Sequence, residues 1–286
     1  MGEPAIDWVA RWRALVEERH EQGRRLDQQH RRPDAWAGRA QRFARHVAEG
    51  GTDDPLLRRL LALATPQTTV LDVGAGPGRH ALPLARVARR VTVVEPSAAM
   101  RELLTAGIER EGLRNVEIVP AEWPPARERV EPADLVVCAH VLYPVVEVEP
   151  FLRALDGAAR RGCYLVMRLG QREGPYLGLF EQIWGEPRAL APTALDLFNV
   201  AHQLGLSAGF EVVPFPSWRS FDGIEEAVAQ VHADVLNPPD PAAEALIRAF
   251  LAERLVERDG KLALEADAPR AGLVFWERSP ALPRTR

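Results

Sequence analysis

The chain of 286 residues is long enough for one large α/β domain with added elements or for two small domains. Its formal net charge of −4 gives no overall attraction for nucleic acid or acidic lipid, and no apolar run approaches the roughly 20 residues of a membrane span. Cys138 and Cys163 lie in apolar runs without zinc-site spacing, so we expect buried thiols, a cytoplasmic protein and no metal.

Residues 1–65 predict a helical N-terminal cap. Trp8 and Trp12 recur at helical spacing, a second helical series contains Trp36, and a third helix has Pro55 in its first turn. Tryptophans at this spacing are more typical of a helical core than of a ligand-binding wall.

From residue 66 the pattern changes to alternating strands and helices, which is typical of parallel βαβ units. We therefore predict that residues 66–286 form one α/β domain with a doubly wound, mostly parallel sheet. The predicted strands are Thr69–Val73, Arg90–Glu95, Asn115–Val119, Ala133–Ala139, Cys163–Met167 and Gly209–Val213, and the predicted helices between them lie at 79–90, 97–112, 150–160 and 193–204.

After residue 170 the alternation relaxes. The segments at about 171–208 and 216–260 predict a lid-like, partly helical cover, with helices near 222–236 and 241–258. The chain closes with a short strand at 261–265 and an apolar strand at 271–277, which we expect to join the sheet antiparallel. The aromatic and imidazole side chains of the cover that could enclose a ligand are Trp184, Phe198, His202 and Trp218.

Three glycines, Gly74, Gly76 and Gly78, follow the first strand at alternate positions. Glycine is needed where the chain turns sharply and its backbone lies close against a ligand. A Walker-type phosphate loop requires a lysine and a hydroxyl after its last glycine, where this chain has Arg79 and His80. The dinucleotide fingerprint requires its third glycine at position 79, so a NAD site is disfavoured but not excluded.

Asp72 precedes the first glycine by two residues and stands in the mouth of the loop. A carboxylate there repels a pyrophosphate and attracts a cation. S-adenosylmethionine carries a sulfonium and an ammonium group and no phosphate. Glu95 ends the adjacent strand, where a carboxylate can accept hydrogen bonds from both ribose hydroxyls, although a NAD site would use the same residue.

The third strand is followed by "PAEW", residues 120–123. Glu122 or nearby backbone could accept a hydrogen bond from an adenine amino group, and Trp123 could provide the stacking face. A tryptophan that packs over the edge of the sheet is an equally good interpretation of Trp123.

Together these segments resemble the class I S-adenosylmethionine-dependent methyltransferases, most closely the small-molecule type. The segments that carry the resemblance are "VLDVGAGPGR", "VTVVEPS", "VPAEW" and "ADLVVCAHVLYPV", within about residues 66–170. The resemblance implies a Rossmann-like, seven-stranded sheet with an antiparallel last strand. It implies S-adenosyl-L-methionine as cofactor, with a binding set of Asp72, Gly74, Ala75, Gly76, Gly78, Glu95, Pro96, Glu122, Trp123 and His140.

The third motif departs from the family, which often has Asp-Ala where this chain has Pro120-Ala121. The resemblance implies that the glycine loop and Asp72 line the methionine end of the cofactor and that Glu95 binds its ribose.

His140 and Tyr143 follow the fourth strand, and ligands of such sheets lie outside the carboxyl ends of the strands. His140 could act as a general base and Tyr143 could orient the methyl acceptor. Alternatively, His140 holds the loop by a hydrogen bond or offers only its backbone to the cofactor, and Tyr143 only packs against the loop.

For the acceptor we expect a small molecule, methylated by in-line transfer. Residues 11–45 contain ten arginines and five acidic residues, so an RNA or protein methyltransferase is an alternative, but the interspersed acids favour a solvated helix face. A non-catalytic binding protein with this fold is a further alternative that the intact glycine loop disfavours. The acceptor atom and the oligomeric state stay open.

Overall fold

The computed structural model describes residues 6–26, 40, 54–170, 176–214, 219–235, 241–258, 260–264 and 270–278. These residues form strands β1 Thr69–Val73, β2 Arg90–Val94, β3 Val116–Val119, β4 Ala133–Ala139, β5 Ala159–Arg168, β6 Gly209–Pro214, β7 Arg219–Phe221, β8 Leu255–Arg258, β9 Lys261–Leu264 and β10 Arg270–Glu277. The helices are α1 Trp8–Leu26, α2 Pro55–Leu63, α3 Ala81–Ala85, α4 Ala98–Glu111, α5 Val148–Ala158, α6 Leu177–Trp184, α7 Ala194–Gln203, α8 Ile224–Asp234 and α9 Pro241–Arg254, with a 3₁₀ turn at Pro125–Arg129.

Seven strands form the main sheet in the order β3-β2-β1-β4-β5-β10-β6. Neighbouring strands from β3 to β5 are parallel, whereas β10 lies antiparallel between β5 and β6. This confirms the predicted Rossmann-like methyltransferase fold, including the antiparallel last strand. Strands β2 and β3 extend the sheet on one side of β1, and β4 and the later strands extend it on the other side. The strand order therefore reverses between β1 and β4, and a ligand is expected in the crevice at their carboxyl ends.

The central strands are buried on both faces because helices cover the sheet on each side. All five residues of β1 are buried, and the apolar side chains of the sheet divide between two core clusters. Leu71 and Val73 belong to one cluster and Val70 to the other, as the alternation of side chains along a strand requires.

A second, smaller core lies in the C-terminal part of the chain. Helices α6, α8 and α9 contribute to it together with the antiparallel sheet β7-β9-β8, and Phe180 and Phe221 are among its fully buried side chains. The prediction of a helix at 241–258 was wrong at its end, because residues 255–258 pair with β9 as a strand. Trp184 packs against this core and donates its indole N–H to the carbonyl of Val235.

Helix α1 packs against the main domain through its apolar face. The indole of Trp12 is fully buried and donates to the carbonyl of Val145 at 2.7 Å. The backbone N–H of Trp8 donates to the side chain of Gln203 on α7. Of the second predicted helical series, Ala40 is buried, and Trp36 lies outside the described residues, as does Trp218.

Helix α3 is shorter than the predicted helix at 79–90. The side-chain amide of Asn115 donates to the carbonyls of Ala85 and Ala88 at 2.8 and 2.9 Å. A side chain from the start of β3 thus satisfies carbonyl groups that a longer helix would have bonded internally. Among the described residues, none of the helices has the length and apolar character needed to cross a bilayer.

Candidate cofactor and acceptor site

The loop after β1 turns at three glycines that all have positive φ, 73° at Gly74, 56° at Gly76 and 94° at Gly78. The N–H of Gly74 donates to the carbonyl of Val94 at 2.7 Å, which ties the loop to the end of β2. A Cβ at Gly74 would stand 2.4 Å from Cγ2 of Val141. Glycine is therefore required there both by the backbone conformation and by the loop that follows β4.

Asp72 is 1% exposed and lies directly beneath this loop. Its Oδ2 has no hydrogen-bond partner among the described residues. Burial raises the pKa of Asp72 to about 6, and the charge of Glu95 adds to this effect, while His80 and the N–H of Ala81 oppose it. A buried carboxylate oxygen without a partner is costly, so it fits a site where a ligand donor completes the bonding.

Glu95 is buried at the end of β2 and holds the glycine loop. Its Oε2 accepts from the N–H of Gly76 at 2.8 Å, and its Oε1 accepts from the N–H of Ser97 at 2.9 Å. The guanidinium of Arg101 donates to the carbonyls of Glu95 and Pro96. Each carboxylate oxygen can accept more than one hydrogen bond, so this arrangement is compatible with additional ribose hydroxyls.

The two candidate adenine-binding side chains of the segment 120–123, Glu122 and Trp123, lie in different environments. Trp123 is 9% exposed, packs in the main core and donates its indole N–H to the carbonyl of Phe151 at 3.2 Å. Glu122 is exposed at the surface. The packing of Trp123 matches the interpretation of a tryptophan covering the sheet.

His140 and Tyr143 form a pair at the carboxyl end of β4. His140 has φ 59°, and its Nδ1 lies 2.8 Å from the hydroxyl oxygen of Tyr143. That oxygen also accepts from the backbone N–H of Arg168 at 2.9 Å. Burial lowers the pKa of His140 to about 3, and the positive charge of Arg168 adds to this effect, so the imidazole is neutral near pH 7.

Asp54 links the glycine loop to helix α2, a contact that the sequence-based analysis did not predict. Its Oδ1 accepts from the N–H of Leu57 at the start of α2. Its Oδ2 lies 2.9 Å from Nε of Arg79 and 3.0 Å from Nε2 of His80. Burial opposes ionisation, but His80 and Arg79 outweigh it and hold the pKa of Asp54 well below its usual range.

A cleft of about 370 Å³ opens beyond Tyr143. Its wall includes Arg168 at the end of β5, Arg19 of α1 and Arg188 from the connection between α6 and α7. Sequence reasoning did not single out this cleft, because its members come from three separate elements. Its volume suits a small organic ligand.

A family profile described as "Methyltransferase domain" matches residues 70–162, which include the glycine loop, Glu95 and the His140–Tyr143 pair. This match and the fold together indicate that residues 70–162 belong to a methyltransferase-type domain.

Two solved structures resemble the methyltransferase fold seen here. The YcgJ protein from Bacillus subtilis is 13% identical with a TM-score of 0.53, over 79% of this chain and 98% of that one. A putative methyltransferase from Bacillus halodurans C-125 is 17% identical with a TM-score of 0.50, over 79% of this chain and 99% of that one. An uncharacterized protein from Haemophilus influenzae is 27% identical over 183 residues, which span 63% of this chain and just under two thirds, 66%, of that protein.

The residues of this candidate site fit S-adenosylmethionine, the methyl donor that the resemblance implies, on two observations. The unpartnered oxygen of Asp72 is suited to the cofactor's ammonium group, and the positive-φ glycine loop lets backbone approach a ligand closely.

Proposed function

We propose that the protein transfers a methyl group from S-adenosylmethionine to a small-molecule acceptor that binds in the cleft beyond Tyr143. The observation that carries the proposal is the buried, unpartnered Oδ2 of Asp72 beneath the glycine loop. An apolar or anionic ligand at this point would leave that oxygen unsatisfied, whereas an ammonium group satisfies it.

The cofactor roles follow from the position of each side chain. Asp72 and the loop of Gly74, Ala75, Gly76 and Gly78 hold the methionine end, and Glu95 with the adjoining Pro96 holds the ribose. Since the indole of Trp123 is packed in the core, adenine is held by backbone near Glu122 rather than by stacking on that ring.

The cofactor supplies a methyl group that is already activated by its attachment to a sulfonium. The protein therefore has to orient the acceptor and exclude water from the reacting atoms. Tyr143 is placed for this task because it lines the cleft and also contacts His140 beside the cofactor loop.

His140 serves as a positioning residue in this proposal. A group with a pKa of about 3 is a weak general base near neutral pH, since the best bases have a pKa close to the working pH. Its Nδ1 is engaged with Tyr143, so the imidazole holds that hydroxyl against the end of β5.

The arginines of α1 support a small-molecule acceptor over RNA. Arg11 pairs with Asp196, Arg13 pairs with Glu147 and Arg25 pairs with Glu186. An arginine that pairs with an acid of its own chain is less available to a phosphate backbone. The remaining arginines of the segment 27–45 lie outside the described residues.

The test is to incubate the protein with methyl-labelled S-adenosylmethionine and, separately, the dialysable and the RNA fractions of a cell extract. We expect label in dialysable products and release of S-adenosylhomocysteine. Label transferred only to RNA would contradict the small-molecule acceptor. If calorimetry detects no binding of S-adenosylhomocysteine, the proposal that this site holds the methyl donor is wrong.

A further inference from the structure

We propose that the methyl acceptor carries an anionic group, a carboxylate or a phosphate, which Arg19, Arg168 and Arg188 bind in the cleft beyond Tyr143. This inference rests on the proposed function, because it names the class of molecule that the same cleft receives.

The three arginines reach one cleft from distant parts of the chain. Arg19 extends from α1, Arg168 ends β5 and Arg188 lies in the connection before α7. The guanidinium of Arg19 donates to the carbonyl of Ala189, the neighbour of Arg188, so α1 is fastened to this connection at the cleft itself.

The described wall of the cleft contains more basic than acidic side chains. Neither Arg19 nor Arg168 forms an ion pair with an acidic side chain in the part of the chain that the structure describes. Glu181 is the acidic side chain among the described residues of the wall, and it is exposed.

The arginines repel one another, which is a cost in the ligand-free protein. Burial, together with the charges of Arg188 and Arg168, lowers the pKa of Arg19 to about 10. A bound anion would relieve this repulsion, and guanidinium groups bind carboxylate and phosphate oxygens with paired hydrogen bonds.

The anionic group would lie beside the reacting part of the site. The guanidinium carbon of Arg168 is 4.8 Å from the centre of the Tyr143 ring, and the hydroxyl of Tyr143 contacts His140 next to the cofactor loop. The rest of the wall contains apolar groups, including Leu190 and Pro192. An acceptor with an apolar body and one anionic end matches this distribution.

The experiment titrates the protein with inorganic phosphate and, separately, with benzoate, at constant ionic strength maintained with chloride. Binding is followed by the rise in melting temperature, with saturating S-adenosylhomocysteine and without it. We expect a saturable rise with at least one of the two anions. The stronger probe identifies phosphate or carboxylate as the group recognised.

Two variants and one matched control locate the binding site. Arg168→Gln and Arg188→Gln should each weaken anion binding about tenfold, as expected for the loss of a charge-assisted hydrogen bond. Arg161→Gln removes an exposed arginine from the same strand as Arg168 but outside the cleft, and should leave the affinity unchanged. Arg168→Lys should retain part of the affinity because it keeps the charge.

A melting temperature that does not respond saturably to either anion would overturn the inference, and so would equal affinities in wild type and both glutamine variants. These outcomes are separable from failure of the proposed function. Loss of S-adenosylhomocysteine binding would remove the methyltransferase proposal, whereas the anion titration of the free protein would still decide whether the cleft binds anions.

Discussion

The hydroxyl oxygen of Tyr143 lies 2.8 Å from Nδ1 of His140. This contact joins the two halves of the site, because Tyr143 lines the arginine-containing cleft and His140 follows β4 beside the cofactor loop. The hydroxyl oxygen of Tyr143 accepts from the backbone N–H of Arg168, so the hydroxyl can donate its own proton to Nδ1 of His140. The proton of the neutral imidazole then lies on Nε2. In the proposed function, the pair positions one wall of the cleft that receives the methyl acceptor.

His140 should stay neutral across the physiological pH range, since burial lowers its pKa to about 3. The measurement is the histidine NMR spectrum between about pH 5 and about pH 8, with the His140 signal assigned by its loss in His140→Asn. A midpoint near the ordinary histidine value of about 6.5 would contradict the positioning role and favour a general base.

Gly74→Ala should destabilise the fold more than Gly112→Ala. Both positions have positive φ, which costs an alanine about 1 kcal/mol. Only at Gly74 would the new Cβ also meet a neighbour, 2.4 Å from Val141 Cγ2, and this adds roughly 1–3 kcal/mol. The free energies of unfolding in denaturant measure the difference. Equal losses would show that the loop after β4 does not confine the glycine loop.

Trp12→Phe should loosen α1 from the main domain. The substitution removes the hydrogen bond to the carbonyl of Val145 and leaves that carbonyl without its donor, at a cost of about 1–3 kcal/mol. Trp8→Phe is the matched control on the same helix, because the Trp8 indole is only half-buried and its contact with Gln203 uses backbone. Both are compared by denaturant unfolding. A larger loss for Trp8→Phe would refute this account of α1 docking.

The arrangement of the glycine loop with Asp72 and Glu95 was predictable because its determinants are local. The glycines, Asp72 and Glu95 follow directly from two apolar strands, and parallel strands bring their carboxyl ends to one edge. The structure brings these residues together, with Glu95 bound to the N–H of Gly76.

The acceptor half was not predictable from local patterns. The apolar run that predicts β5 ends at Met167, so Arg168 carried no signal as the last residue of the strand. In the sequence, Arg19 is indistinguishable from the other arginines of a solvated helix. Its place in the cleft depends on how α1 packs, which the burial of Trp12 on the same helix determines. Strand β9 was predicted at 261–265, whereas its partners β7 and β8 were missed because they are only three and four residues long. Strand β8 also continues directly from α9, so its residues resemble the end of that helix.

Binding of S-adenosylhomocysteine should weaken as the pH falls through about 6. In the free protein burial raises the pKa of Asp72 to about 6, and the ligand's ammonium group binds the ionised carboxylate. Affinity should thus be constant above about pH 7 and fall toward tenfold per unit below the pKa. Calorimetry over this range measures the profile, and Asp72→Asn should remove the step. If the affinity of Asp72→Asn falls at acid pH in the same way as that of wild type, a group other than Asp72 causes the pH dependence.

The central claim is that Asp72 binds the cationic end of the cofactor. The most direct test is the dissociation constant of S-adenosylhomocysteine, measured by calorimetry above about pH 7 for wild type, Asp72→Asn and the exposed-surface control Glu117→Gln. We predict binding by wild type and by the control, and affinity roughly 10–100-fold weaker in Asp72→Asn, as expected for a charge-assisted hydrogen bond. Undiminished binding by a folded Asp72→Asn protein would contradict the claim.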